Sequence, residues 1–292
     1  MKVEGILTAL SPVHQGGNEK TGAETTLNRQ TYFIGGQQEE VPIISGNGIR
    51  GAYRRRVARD FLDLAGIDRV ASKRVYYLLY SGGANYEVVR DADAGAINLQ
   101  VREQVRRHIP PVALLGGNLG NQPFEGALKC SIARPICEEL VGAGMIPVQF
   151  LGRAGLPTDA GAYPSFYNYL DSSFATRKDD IRDSGGSREG KKKKKLTVQM
   201  LFTQEVFVPG TRFYHKWVVT TRDPVVVGCF WRGIKLFLAD PYVGGGHSRN
   251  MGELELAYEG YADENDAPYL AFMDEHAGEI RREIESLCKT WK

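Results

Sequence analysis

The chain has little of what metal or disulfide chemistry needs. Its four cysteines, Cys130, Cys137, Cys229 and Cys288, form no CxxC pair, and none has a histidine at zinc-ligand spacing. That excludes a zinc ribbon and predicts free thiols in a reducing compartment. Histidine is scarce, five in 292 residues, which leaves few groups for acid–base work near neutral pH. No run approaches the roughly 20 apolar residues of a membrane span. The opening MKVEGILTALSP is too short and too polar for a signal peptide. The expectation is a cytoplasmic protein with no membrane contact, no bound metal and no cofactor. A P-loop is also missing: Ile49-Arg50-Gly51 follows Gly48, where Gly-Lys-Ser/Thr would be needed.

Glycine and unevenly placed charge are abundant. Thirty-four glycines cluster in loops where backbone must approach something closely. Formal net charge is only +2, yet residues 176–195 hold nine Lys/Arg against four Asp/Glu, and residues 252–292 hold four against eleven. A basic arm and an acidic C-terminal end suit a polyanion at one place and head-to-tail self-association at another.

The most informative segment is VPIISGNGIRGAYRRR, residues 41–56. A short apolar strand runs through Ser45-Gly46-Asn47-Gly48 into a helix with Arg50, Arg54, Arg55 and Arg56 in its first turns. Unpaired N–H groups and the helix dipole favour an anion there, whereas a cation so near the N-terminus is disfavoured unless an anion joins it. A phosphate cradle fits this chemistry. So does a glycine turn followed by a solvated basic face.

Around this segment the pattern predicts a strand at 2–11, a long polar loop at 12–40, and a helix near 48–65. The apolar stripe of that helix is Ile49, Tyr53, Val57, Phe61 and Leu64, with Arg55 and Arg59 opposite. Residues 68–110 read as an inserted helical lobe that Pro110-Pro111 terminates. Then follow a glycine loop at 112–127, a strand at 128–138 and an aperiodic arm at 160–195 ending in Lys191, Lys192, Lys193, Lys194 and Lys195. A hairpin turning at Pro209-Gly210, a helix at 223–239 capped by Asp223, a glycine loop with a strand, and a helix at 267–290 complete the chain. That order is compatible with a ferredoxin-like α+β sheet in one domain, 1–292, with the helical lobe and a projecting arm or long hairpin as insertions.

Three segments in register, SPVHQGG (11–17), ISGNGIRGAYR (44–54) and GGGHSRNMG (244–252), resemble the RAMP superfamily of CRISPR-associated proteins. The nearest likeness is to the repeating backbone subunit of multisubunit CRISPR effector complexes. The segment TRKDDIRDS (176–184) resembles the thumb of type IV and type I-D members. The resemblance implies a modified ferredoxin-like or RRM-like palm with the helical lobe inserted and the arm projecting as a thumb, in a chain that binds CRISPR guide RNA along its backbone. Copies stack head-to-tail into a helical filament, alongside other effector subunits, and support pairing with a complementary target, DNA ahead of RNA. Guide contacts would then come from His14, Gln15, Asn18, Ser45, Asn47, Arg50, Arg54 and Arg55, with His247, Ser248 and Arg249 on the second glycine loop. The thumb would offer Arg177, Lys178 and Lys191 to Lys195.

Type III backbone subunits cut target RNA with an aspartate between the first two segments. Here TGAETTLNRQTYF has none, and Glu24 is the carboxylate nearest its middle. The expectation is therefore a non-catalytic, non-enzymatic subunit. Two other readings remain: a guide-processing RNA endonuclease of the same superfamily, for which His14 and His247 would be acid–base candidates, and a general single-strand nucleic-acid binder. Phe213, Tyr214 and Trp217 read mainly as core. Tyr163, Phe166, Tyr167 and Tyr169 fit core or base stacking equally.

Overall fold

The computed structural model describes residues 1–21, 24–83, 98–119, 122–178 and 199–291. Its centre is an antiparallel sheet of β1 (Lys2–Ala9), β8 (Leu128–Cys130), β12 (Arg212–Val219) and β13 (Leu254–Tyr258) in the order β13-β1-β12-β8. The short β9 (Arg134–Pro135) also pairs with β12. Two helices, α1 (Gly46–Leu64) and α7 (Pro224–Ala239), connect these strands. Counting only these elements, the chain runs β-α-β-β-α-β with strand order 4-1-3-2, the ferredoxin-like palm.

Helix α1 follows from its sequence. Ser45 caps it, its Oγ accepting from the Gly48 N–H at 3.1 Å, and Ile49, Tyr53, Val57 and Phe61 face inward. Helix α7 opens on Asp223, whose Oδ1 accepts from the N–H of Val225 at 2.9 Å, with Pro224 in the first turn. The two helices touch through Tyr53, whose hydroxyl donates to the Phe230 carbonyl at 2.8 Å. Gly233 makes this fit possible, because a Cβ there would lie 2.2 Å from the Tyr53 ring.

The other face of the sheet is covered too. Helices α5 (Glu138–Gly142) and α6 (Val148–Arg153), with residues 160–169, form a second core around Tyr214, Phe150 and Phe166. With both faces covered, β1 and β12 are buried at successive positions rather than alternate ones, Glu4 and His215 included. Inside the sheet, Gly5 of β1 lies between His215 of β12 and Tyr258 of β13. With no side chain at Gly5, the Tyr258 ring reaches across it to hydrogen-bond His215 Nδ1 at 2.9 Å. Thus His215 is a core residue, as are Phe213, Tyr214 and Trp217.

Several expectations change. The described residues of the polar stretch 12–40 form four strands: β2 (Gly16–Thr21), β3 (Glu24–Leu27), β4 (Arg29–Ile34) and β5 (Gln37–Pro42). β4 and β5 form a hairpin through Gly35-Gly36, both at positive φ. With few buried positions these strands lack the apolar alternation that marks a strand in sequence. The helical lobe holds α2 (Lys73–Ser81) and α3 (Leu99–His108), but Pro110-Pro111 opens a further helix, α4 (Pro110–Leu115), since the first turn needs no N–H donors. The glycine stretch after it carries the small hairpin of β6 (Gly117–Leu119) and β7 (Gln122–Phe124). The predicted strand 128–138 is split into β8 and β9 and ends where α5 begins. Residues 160–169 pack on the palm, with Tyr163 and Phe166 buried, so the arm leaves it only at Leu170. It leaves as β10 (Leu170–Lys178), paired with β11 (Gln199–Phe207), and β3 joins β11 in parallel. The chain ends in α8 (Ala267–Thr290), which packs on α7.

Candidate nucleic-acid interface

The three sequence segments that stood 30 to 240 positions apart meet at one rim of the palm. The link between the first two is Gln15, whose Oε1 accepts from the Ser45 N–H at the start of α1. Its amide lies against the first helical turn, 1.6 Å from where a Gly48 Cβ would be, so a larger residue at 48 would push the Gln15 side chain aside. The link to the third is the His14 carbonyl, which accepts from Gly245 N–H at 3.0 Å. Gly244 sits at φ +79° with its missing Cβ 2.2 Å from that same oxygen, so glycine is required there. Further along, Gly252 N–H donates to Pro12 at 2.9 Å and Glu253 N–H to Ser11 Oγ at 2.9 Å.

His14 is buried at 7% exposure. Its Nδ1–H donates to the Glu205 carbonyl at 2.7 Å, which leaves Nε2 as an acceptor facing Thr25 Oγ1 at 3.4 Å. The ring thus ties the loop to the base of the thumb. Glu205, which sequence reasoning missed, completes this joint: its carboxylate accepts from Leu27 N–H at 2.9 Å and pairs with Arg29 at 2.5 Å. A lone acid in a strand gives no sequence signal of such a role.

The arginines of α1 divide. Arg55 and Asn47 are exposed, and Arg50 is half-buried with Nη2 donating to the Leu115 carbonyl. Arg54, by contrast, is buried and donates to the carbonyls of Leu115 at 2.8 Å, Gly116 at 3.0 Å and Leu78 at 3.2 Å. Its guanidinium is lowered to about 10, first by burial and then by neighbouring Arg50. Arg54 therefore fastens α1 to α2 and α4 through these carbonyl contacts. Arg56 is similarly engaged with Asp240, at 2.8 Å, and lies over the Phe237 ring.

His247, Ser248 and Arg249 form one exposed turn between Gly246 and Asn250, both left-handed. Arg249 reaches the thumb, donating to Gln204 Oε1 at 2.8 Å. Asn18 lies in β2, and Arg177 and Lys178 lie in β10 opposite Met200 and Gln199. Lys191 to Lys195 fall outside the described residues. Exposed aromatics stand on the arm at Phe174 and beside its root at Tyr167, the latter stacked on Phe166 at 4.1 Å. Among the described residues no three His, Cys, Asp or Glu side chains are placed to hold a metal ion, and no helix is long and apolar enough to cross a membrane.

The rim therefore joins backbone turns, a capped helix start and open cations, a surface suited to following a phosphodiester chain by charge and shape. No protein-family model matches this chain, and no curated protein does. Among solved structures, the fold is similar to that of a chain described as "Type IV-B CRISPR Complex", with a TM-score of 0.61, 16% identity, and coverage of 90% of this chain and 92% of that one. At that identity the likeness speaks for the shared fold.

Proposed function

We propose that this chain is a non-catalytic guide-RNA-binding backbone subunit of a CRISPR effector complex, of type IV or type I-D kind within the RAMP superfamily. Copies would assemble head-to-tail along the guide and support its pairing with a target strand. The observation that carries this reading is the meeting of residues 11–17, 44–54 and 244–252 at one rim, on a fold shared with a chain of a type IV-B complex. Asn47, Arg50 and Arg55 would contact guide phosphates, while Gln15, Ser45 and His14 set the backbone that presents them. Glu24 lies exposed at the start of β3 without an aspartate beside it in sequence, which suits holding RNA rather than cutting it.

Extraction and sequencing of RNA from the purified protein, with electron microscopy of the same preparation, tests the reading. The expected result is RNA of defined length carrying repeat-derived sequence, inside rings or filaments. Nucleic acid of arbitrary sequence on a monomer would refute it in favour of a general binder. Cleavage of a matching RNA by the assembled complex with Mg²⁺, abolished by Glu24→Ala, would refute the non-catalytic part.

A further inference from the structure

A quarter of the chain is charged, yet residues 140–158, LVGAGMIPVQFLGRAGLPT, hold one charged side chain, Arg153. That charge is answered within the chain, by Glu4 at 2.9 Å and Glu259 at 3.0 Å. Leu140, Val141, Ile146, Phe150 and Leu151 turn inward to the second core. The outer side of α5 and α6 is left with Gly144, Met145, Val148, Gln149, Gly152 and Gly155, all exposed, Met145 at 38% and Val148 at 48%. A surface of bare glycine backbone, methionine and valine without charge attracts neither a polyanion nor a charged helix. Depletion of charge with exposed methionine is the composition of a protein–protein interface core.

A second neutral surface lies on the β4–β5 hairpin. Residues 30–38, QTYFIGGQQ, carry no charge, and the two strands pair with each other and with no other described strand. A two-stranded ribbon needs support from packing. Tyr32, Ile34 and Val41 supply it on one side by joining the second core. Phe33 lies between Tyr32 and Ile34 and therefore points the opposite way, out of that core. It is 73% exposed, the most exposed large apolar side chain among the described residues. Gln38 stands opposite it, and charge on that side begins only at Glu40, beside Thr31. Because Phe33 points away from the core its own hairpin shares with α5 and α6, it does not fill the neutral face of its own chain.

We propose that the tip of the β4–β5 hairpin of one copy docks on the neutral α5–α6 face of the next, with Phe33 against Met145 and Val148. The complementarity is one of charge: each surface is neutral in a chain that is otherwise densely charged, so neither forces the other to bury an unpaired ion. Knob and face are different patches, so the contact is heterologous and passes from copy to copy without using itself up. The inference rests on the reading that copies assemble head-to-tail, and it adds which two surfaces meet and that packing rather than ion pairing joins them.

Photo-reactive benzoylphenylalanine placed at position 33 of the full-length chain, with single-stranded RNA present, reads the contact by mass spectrometry. Cross-links from one copy to residues 142–157 of another are expected. A map confined to the same copy, to another region of the neighbour or to the RNA overturns the docking. In parallel, Phe33→Lys and Val148→Glu should each weaken assembly about tenfold in sedimentation of the RNA-bound protein. The double variant should recover most of that loss, because the new charges face each other. A double variant no better than either single one overturns the docking. Where a variant fails to fold, the cross-link map decides by itself. If wild-type copies assemble on RNA but the cross-links fall elsewhere, the docking is wrong and the proposed function stands. If the wild-type chain binds RNA only as a monomer, the proposed function fails and the docking with it.

Discussion

Arg54 and Arg55 are neighbours in sequence, and one helical step of about 100° puts them in different worlds. Arg54 points into the α1–α2–α4 junction and holds three carbonyls there; Arg55 stands in water at the edge of a basic groove. The histidines repeat the contrast. His215 is sealed in the sheet beneath Tyr258 and Trp217, whereas His247 stands on an exposed glycine turn. In both pairs one residue type builds the palm and the same type, elsewhere, is left to meet a partner. Abundance of arginine in a segment is thus no measure of how much of it can touch RNA.

The contrast breaks first if Arg54 proves dispensable. Arg54→Ala should lower stability by about 3 kcal/mol, because three buried carbonyls lose their donor at once. Chemical denaturation measures this, and a loss under about 1 kcal/mol would return Arg54 to the candidate contacts. His215 tests the interior through pH. Burial lowers its pKa to about 3, so in the folded chain the ring stays neutral while the unfolded chain takes up a proton below the ordinary value of about 6.5. Its contribution is therefore complete above pH ~6.5 and is lost as the pH falls toward ~3, by at most about 1.4 kcal/mol per pH unit. His215→Phe should flatten that acid limb, and an unchanged slope would assign it to the carboxylates instead.

Smaller effects sharpen the rim. Ser45→Ala removes the cap of α1 and should cost about 1 kcal/mol, with RNA affinity falling because the turn that carries Asn47 loosens. Arg55→Ala should leave stability within about 0.5 kcal/mol while flattening the salt dependence of RNA binding by roughly 0.7 in logarithmic slope, one phosphate contact on a single strand. An equal affinity loss at every salt concentration would argue that Arg55 acts through folding and not through charge.

How much could be read without coordinates differs along the chain. The start of α1 was legible because a cap, two glycines and a stripe at helical spacing agree over a few residues. The Asp223-Pro224 start of α7 was legible for the same reason. Strands β2 to β5 were hidden, since exposed edges need no apolar alternation. Glu205 and the Leu115 carbonyl joined the site unannounced; their roles come from partners 178 and 61 residues away.

By itself the sequence determined where α1, α7 and α8 run and which side of α1 is apolar, for these depend on neighbours within a turn or two. It also set the order of the three glycine-marked segments. Only the tertiary structure decided that those segments meet, that Gln15 lies on α1, and that Arg54 faces inward while Arg55 stays open. Those outcomes depend on hydrogen bonds and packing between elements far apart in the chain, which no local pattern encodes.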